Sequence, residues 1–182
     1  MKVTPLSIPD VLLIEPHVFE DSRGFFFESF REDIFKHKTL LDVSFVQDNH
    51  SKSCQGTLRG LHYQLPPHAQ GKLTRVIQGE VLDIAVDIRG SSRTCGQYVA
   101  EILSSDNKKQ LYIPEGFAHG VLTLSHTSEY LYKTTDFYHP QSERCILWND
   151  VTLNIEWPKG LKFQISSNDI LGQNFEASLL FP

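Results

Sequence analysis

Leu73-Thr74-Arg75-Val76-Ile77-Gln78-Gly79-Glu80-Val81-Leu82-Asp83-Ile84-Ala85-Val86-Asp87-Ile88 is the stretch on which the fold class turns. In its second half Leu82, Ile84, Val86 and Ile88 alternate with Val81, Asp83, Ala85 and Asp87. A period of two is the side-chain period of a strand, so 73–77 and 81–88 read as a strand pair joined at Gln78-Gly79-Glu80. Working outward, the same criterion predicts strands over 24–29, 45–51, 57–64, 98–103, 109–113, 120–125, 130–135 and 145–147. Helical pattern is scarce: 31–36 makes a short helix, and 166–171 another, with Ser166 as cap and Asp169 three residues on. Many short strands punctuated by dispersed Gly and Pro predict an all-β sandwich or jelly roll with a few short peripheral helices.

The 182 residues, 40% of them hydrophobic, match one domain, 1–182. No repeat, linker or low-complexity tract divides them. A net charge of −5 gives no global attraction to nucleic acid or anionic membrane, so an anionic ligand has to be met by a local group of Lys and Arg. Cys54, Cys95 and Cys145 are odd in number and in no CxxC arrangement, which argues against a disulfide framework and a cysteine zinc site and predicts reduced thiols in a cytoplasmic protein. No apolar run approaches the ~20 residues of a membrane span, and the first ten residues have no signal-peptide core.

Several strand faces are polar where a plain core would be apolar. Arg59, His62 and Gln64 sit among Leu58, Leu61 and Tyr63; Gln47 and Asn49 share one side of their strand, and Asp83 and Asp87 another. Two readings fit: a ligand-holding barrel with a polar lumen, or the solvent faces of an open sandwich.

Ile113-Pro114-Glu115-Gly116-Phe117-Ala118-His119-Gly120 contains Pro-x-Gly-x-x-His, which resembles the second motif of the cupin superfamily. The region matching the first cupin motif offers only His62, in Arg59-Gly60-Leu61-His62-Tyr63-Gln64, too few ligands for the usual open metal site. The expectation is a barrel without metal.

With Arg23-Gly24-Phe25-Phe26-Phe27-Glu28-Ser29, Phe45-Val46-Gln47-Asp48-Asn49-His50-Ser51, Gln70-Gly71-Lys72-Leu73, Glu129-Tyr130-Leu131-Tyr132-Lys133 and Ile146-Leu147-Trp148-Asn149-Asp150, these motifs stand in the order of the dTDP-4-dehydrorhamnose 3,5-epimerase family, which the chain resembles over about residues 2–170. The resemblance implies a cupin-type double-stranded β-helix, a homodimer, no cofactor, and a dTDP-linked 4-keto-6-deoxy sugar as substrate.

Protons on carbons beside a ketone are weakly acidic, so epimerisation needs a base, a group that stabilises the enolate oxygen, and an acid on the opposite face. His62 suits the base, because imidazole with an unperturbed pKa of ~6.5 is largely neutral at physiological pH. Its second nitrogen needs a carboxylate: Asp169 matches the family, and Asp83 is a second candidate. Tyr132 is the expected acid, with Tyr130 two residues away on the same face leaving open which phenol acts. Lys72 could hold its ammonium against the C4 oxygen as that becomes an enolate. Arg23 and Arg59 match the family as pyrophosphate ligands. Gln47, Asn49, Glu28 and His119 are expected to meet base, ribose or sugar hydroxyls, Phe26 to stack on a ring, and Tyr138 and Glu143 to lie near the nucleotide. Asn168 departs from the family pattern, which often has Lys or Arg there, and this bears on the choice of nucleotide.

Other readings of the same residues are a single-site epimerase acting at C3 or C5, a sugar-nucleotide ketoisomerase, and a non-catalytic carbohydrate-binding jelly roll. Arg23 and Phe26 serve either their own subunit or a partner's. The segment 171–182 carries no recognisable motif.

Overall fold

Two antiparallel sheets face one another in the computed structural model, which describes residues 1–181; Pro182, the end of the expected domain span, lies outside them. In chain order the strands are β1 (Lys2–Pro5), β2 (Leu12–Glu15), β3 (Phe19–Asp21), β4 (Gly24–Phe26), β5 (Gln47–Cys54), β6 (Thr57–Gln64), β7 (Lys72–Gln78), β8 (Glu80–Asp87), β9 (Tyr98–Ser104), β10 (Gln110–Ile113), β11 (Phe117–Thr123), β12 (Thr127–Thr134), β13 (Glu143–Cys145) and β14 (Gln164–Ile165). Helix α1 (Glu32–Thr39) precedes β5, and α2 (Ser167–Ile170) follows β14. The first sheet runs β1-β2-β10-β7-β12-β5 and the second β13-β6-β11-β8-β9, with β14 parallel to β6; β3 and β4 make a separate hairpin. This is the expected jelly roll.

The stretch 73–88 is two strands, but they do not pair with each other. β7 pairs with β10 and β12, and β8 with β9 and β11, so at Gly79 the chain crosses from one sheet to the other. Gly79 has φ of +78°, and a Cβ there would lie 2.1 Å from the Thr127 carbonyl oxygen, a position only glycine fills. Strand 57–64 coincides with β6, whereas 120–125 begins too late, because β11 already starts at Phe117 within the Pro-Glu-Gly turn. β1, β2 and β3 went unassigned in a region broken by Pro5, Pro9 and Pro16.

β8 is buried on both faces over most of its length. Its uniformly apolar side, with Ile84 and Val86, looks away from the opposite sheet and packs with Leu61, Ala118 and Ile146 under a cover of Trp157, Phe175, Leu180 and Phe181. Its mixed side, with Val81 and Ala85, faces between the sheets toward Leu13, Val76, Leu111 and Val121. A third cluster, Leu12, Ile14, Phe35, Leu73 and Tyr112, is closed by α1 on the outside of the first sheet. The central strands of both sheets are therefore covered on both faces, whereas the outer sides of β5 and β9 are exposed, and each fully buried Leu, Ile or Val contributes roughly 1.5–3 kcal/mol. The sandwich interior is free to carry Thr74, Asp83, His119 and Tyr130, which are buried there.

Candidate active site

A cavity of about 690 Å³ opens between the sheets. Gln47, Asn49 and Ser51 of β5 and Tyr130 and Tyr132 of β12 line it from the first sheet; Arg59, His62 and Gln64 of β6, His119 of β11 and Cys145 of β13 line it from the second. Lys72, Tyr138, Glu143, Arg144, Asn168 and Asp169 also line it. The volume suits a small-molecule ligand. The polar faces of β5 and β6 thus belong to a lumen and not to the solvent side of an open sandwich, whereas Asp87 of β8 is held by Arg89, Ser92 and Thr94. Within this acidic chain Arg59, Lys72 and Arg144 provide the local basic group, with Glu143 and Asp169 beside them.

Arg59 and His62 differ in parity, and a regular strand would point them to opposite faces. A β-bulge reconciles them: His119 opposes His62, Val121 opposes Arg59, and Gly60 and Leu61 together face Gly120. Gly60 has φ of +126°, and a Cβ on it would stand 2.6 Å from both Gly120 Cα and the His119 carbonyl oxygen. The glycines allow the close approach that turns Arg59 and His62 into one cavity.

His62 Nε2 lies 2.5 Å from Asp169 Oδ1. Of the two expected carboxylate partners, Asp169 is the one in contact. An ionised carboxylate only accepts, so Nε2 carries the proton and Nδ1 holds the free lone pair. Asp169 is buried. Burial alone would raise its carboxyl, but the His62 bond and charge, with the Ser166 hydroxyl, hold it below the usual aspartate range. As the sequence predicts, Ser166 caps α2, accepting from the Asp169 amide at 3.1 Å.

Asp83 serves a different network. One carboxylate oxygen lies 2.8 Å from His119 Nε2; the other accepts from the Thr74 hydroxyl at 3.0 Å and from Tyr130, whose hydroxyl makes a very short hydrogen bond to it. Burial drives the His119 imidazole toward its neutral form against the pull of Asp83, and pushes the Tyr130 phenol well above its ordinary value. Tyr130 is 3% exposed and committed to Asp83. Both phenols line the cavity, but Tyr132 is only partly buried, which separates the two. Burial also raises the Tyr132 phenol, opposed by the charge of Arg59.

Lys72 is not an exposed strand-end lysine: it is 7% exposed, and its Nζ donates to the His62 carbonyl oxygen at 3.2 Å. Burial lowers its pKa to about 8, against the attraction of Asp83 and Glu143. At neutral pH it is a buried cation beside His62, aimed at the same lumen.

At the mouth, the Tyr138 hydroxyl donates to Glu143 at 2.8 Å and its amide to Gln47 Oε1 at 3.0 Å, while Gln47 Nε2 donates to Asn49 at 3.0 Å. Arg59 Nε donates to Ser53 at 3.2 Å. Arg23, Phe26 and Glu28 stand outside this cavity. Arg23 pairs with Asp21 at 2.6 Å on the β3–β4 hairpin, Phe26 is 67% exposed, and Glu28 lines a second, apolar cavity beside Phe30 and Phe35. Sequence reasoning missed Gln70, Arg144 and Cys145 as lining residues. Gln70 precedes Lys72 in a quoted motif and Arg144 adjoins Glu143; Cys145 gave no signal beyond its strand.

The family model described as dTDP-4-dehydrorhamnose 3,5-epimerase matches residues 5–177. The chain is 55% identical to the dTDP-4-dehydrorhamnose 3,5-epimerase of Pseudomonas aeruginosa over the full length of both, and 57% identical to that of Shigella flexneri over 96% of each. Among solved structures, the dTDP-6-deoxy-D-glucose-3,5-epimerase of Legionella pneumophila, in complex with dTDP-4-keto-L-rhamnose, superposes with a TM-score of 0.94 at 45% identity, covering 97% of this chain and 93% of that one. Sequence match, fold and shared length agree, and the chain belongs to the dTDP-4-dehydrorhamnose 3,5-epimerase family.

Proposed function

We propose that the protein is an isomerase that inverts C3 and C5 of dTDP-4-dehydro-6-deoxy-D-glucose to give dTDP-4-dehydro-L-rhamnose, with His62 as base and Tyr132 as acid. The observation that carries the reading is their placement: His62 stands on β6 of one sheet and Tyr132 on β12 of the other, both lining one cavity. A sugar ring held between the walls loses a proton to one face and regains it on the other.

His62 takes the proton from the carbon beside the C4 ketone, and the electron pair moves to the C4 oxygen as an enolate. Asp169 stabilises the imidazolium formed. The Lys72 ammonium, itself buried, faces the new negative charge, where a fixed charge contributes about 3–4 kcal/mol to the transition state. The Tyr132 phenol then protonates the carbanion carbon, and the enolate returns its electrons to restore the ketone; the imidazolium gives its proton to solvent and the phenolate takes one from solvent before the second carbon reacts. Arg59 holds the pyrophosphate, with Tyr138, Glu143, Gln47, Asn49 and Asn168 around the nucleotide and His119 toward the sugar.

The homodimer belongs to the same proposal. Phe19, Phe25 and Phe26 on the β3–β4 hairpin are 58%, 58% and 67% exposed. Burying them against a second copy would carry Arg23 and Phe26 to the partner's cavity. The expected setting is the cytoplasm, where Cys54, Cys95 and Cys145, all free thiols, stay reduced.

The test is conversion of dTDP-4-dehydro-6-deoxy-D-glucose by the purified protein, followed by proton NMR. Appearance of the L-rhamno product supports the reading. Inversion at one carbon only, or a product with its carbonyl moved, refutes it.

A further inference from the structure

His68, Asp136 and His139 form a cluster that the epimerisation does not use. His68 lies in the turn after β6, and Asp136 and His139 lie between β12 and β13. Their donor atoms fall within 4.8 Å of one another, and all three side chains are half-buried. His68 Nδ1 is 3.1 Å from Asp136 Oδ2, and the two imidazoles stack with centroids 3.4 Å apart and planes 14° from parallel.

The backbone beneath them is held independently of these side chains. Gln64 Nε2 donates to the carbonyls of His68 at 2.7 Å and Phe137 at 3.1 Å, and its Oε1 accepts from the His139 amide at 2.7 Å. Gln70 Nε2 donates to the Asp136 carbonyl at 2.8 Å. Two segments distant in sequence are thereby pinned side by side, each presenting imidazole or carboxylate at a surface that water can reach.

Two imidazoles and one carboxylate, with open positions for water, form the donor set of a zinc-type transition metal site; hard cations would select oxygens instead. We propose that His68, His139 and Asp136 bind one divalent transition metal ion, Zn²⁺ being the reference case. Parallel stacking leaves the ring lone pairs in parallel planes, so binding turns one imidazole about its Cβ–Cγ bond until both converge on the ion. The site is separate from the cupin metal position, at which this chain offers His62 and His119. Its occupation ties the His68 turn to the segment carrying Tyr138, and so fixes one side of the cavity mouth.

Among the described residues one other group has a comparable donor set, His62, Cys145 and Asp169 inside the cavity, and the experiment must separate the two. Chelator-treated protein is titrated with ZnCl₂ in a calorimeter, alongside His68→Ala, His139→Ala and Cys145→Ser. The expected result is saturable binding of one ion per chain by the unsubstituted protein and by Cys145→Ser, lost in both histidine variants. Binding that survives both histidine substitutions, or no saturable binding by the unsubstituted protein, overturns the proposal. Imidazole ¹⁵N spectra of the unsubstituted protein give a reading that needs no variant to fold: Zn²⁺ should shift the ring nitrogens of His68 and His139, and shifts confined to His62 would overturn the assignment.

Discussion

His62 Nε2 and Asp169 Oδ1 meet at 2.5 Å although 107 residues separate them in the chain. Three local devices bring them together. β14 lies parallel to β6, pairing Gln164 with Thr57 and Ile165 with Leu58, and so delivers the chain to the start of α2. The Ser166 cap fixes the first turn of that helix, and Gln173 then bridges to Ile146 beyond it. Gly172 fits between because a Cβ would stand 3.0 Å from the Leu147 amide nitrogen.

Asp169→Asn removes an acceptor-only partner and lets the amide select the wrong imidazole tautomer. We expect kcat to fall by about 10²–10⁴-fold with little change in KM. The Asp169 carboxyl is held below its unfolded value of ~3.9, so its contribution to stability is fully present above that pH and is lost as pH falls through the lower folded value. Acid unfolding curves of wild type and Asp169→Asn should differ at neutral pH and converge in strong acid; parallel curves would contradict the linkage.

The proposed role of Lys72 comes at a cost in stability. Its folded pKa of about 8 lies below the unfolded ~10.4, so the unfolded chain binds the extra proton between the two. The cost of burying the cation is therefore full below pH 8 and shrinks toward ~10.4. Lys72→Met should raise unfolding free energy at pH 7, with an upper bound on the order of 3 kcal/mol, while lowering kcat by about 10²–10³-fold. In wild type, kcat should decline as pH rises through about 8. Denaturant titrations at pH 7 and 10 check the first claim, and an unchanged or lower stability for Lys72→Met would contradict it.

Gly60→Ala should be among the most damaging single-carbon additions in the molecule. The new methyl would meet Gly120 Cα and the His119 carbonyl oxygen at 2.6 Å on a backbone with φ of +126°. A loss of more than about 2 kcal/mol in stability is expected, with reduced kcat as His62 and Arg59 lose their common register. Thermal melts measure it, and a variant as stable as wild type would refute the role given to the bulge.

The hairpin proposal predicts complementation between inactive variants. If Arg23 works in the partner's cavity, mixing unfolded-and-refolded Arg23→Ala and His62→Ala chains restores one intact site in each mixed dimer, giving roughly one quarter of wild-type activity. No recovery from dimers that light scattering shows to be mixed would place Arg23 in its own subunit.

Strand character and the identity of the lumen residues were legible because they rest on local alternation and on short motifs. The partner of Gly79's crossing was not: a tight Gly turn between two strands reads as a hairpin, and only the contacts of Thr127 and Ser125 around it reveal a change of sheet. Asp169 as the partner of His62 was legible only through the family motif: spacing along the chain gives no reason to prefer it to Asp83, because the contact is made by β14 and α2. Strand β8 shows a further limit. Alternation alone left two readings of its polar side, and the choice rests on the distant segment that covers its apolar side with Trp157, Phe175, Leu180 and Phe181.

The central claim, a base and an acid on opposite walls, is tested most directly by deuterium exchange. Wild type, His62→Ala and Tyr132→Phe are incubated with dTDP-4-dehydro-6-deoxy-D-glucose in deuterated water, and C3 and C5 are followed by NMR. The account predicts exchange with inversion at both carbons in wild type, no exchange in His62→Ala, and exchange with retained configuration in Tyr132→Phe, where His62 can only return the deuteron to the face it came from. Persistent exchange in His62→Ala, or inversion at the wild-type rate in Tyr132→Phe, would contradict it.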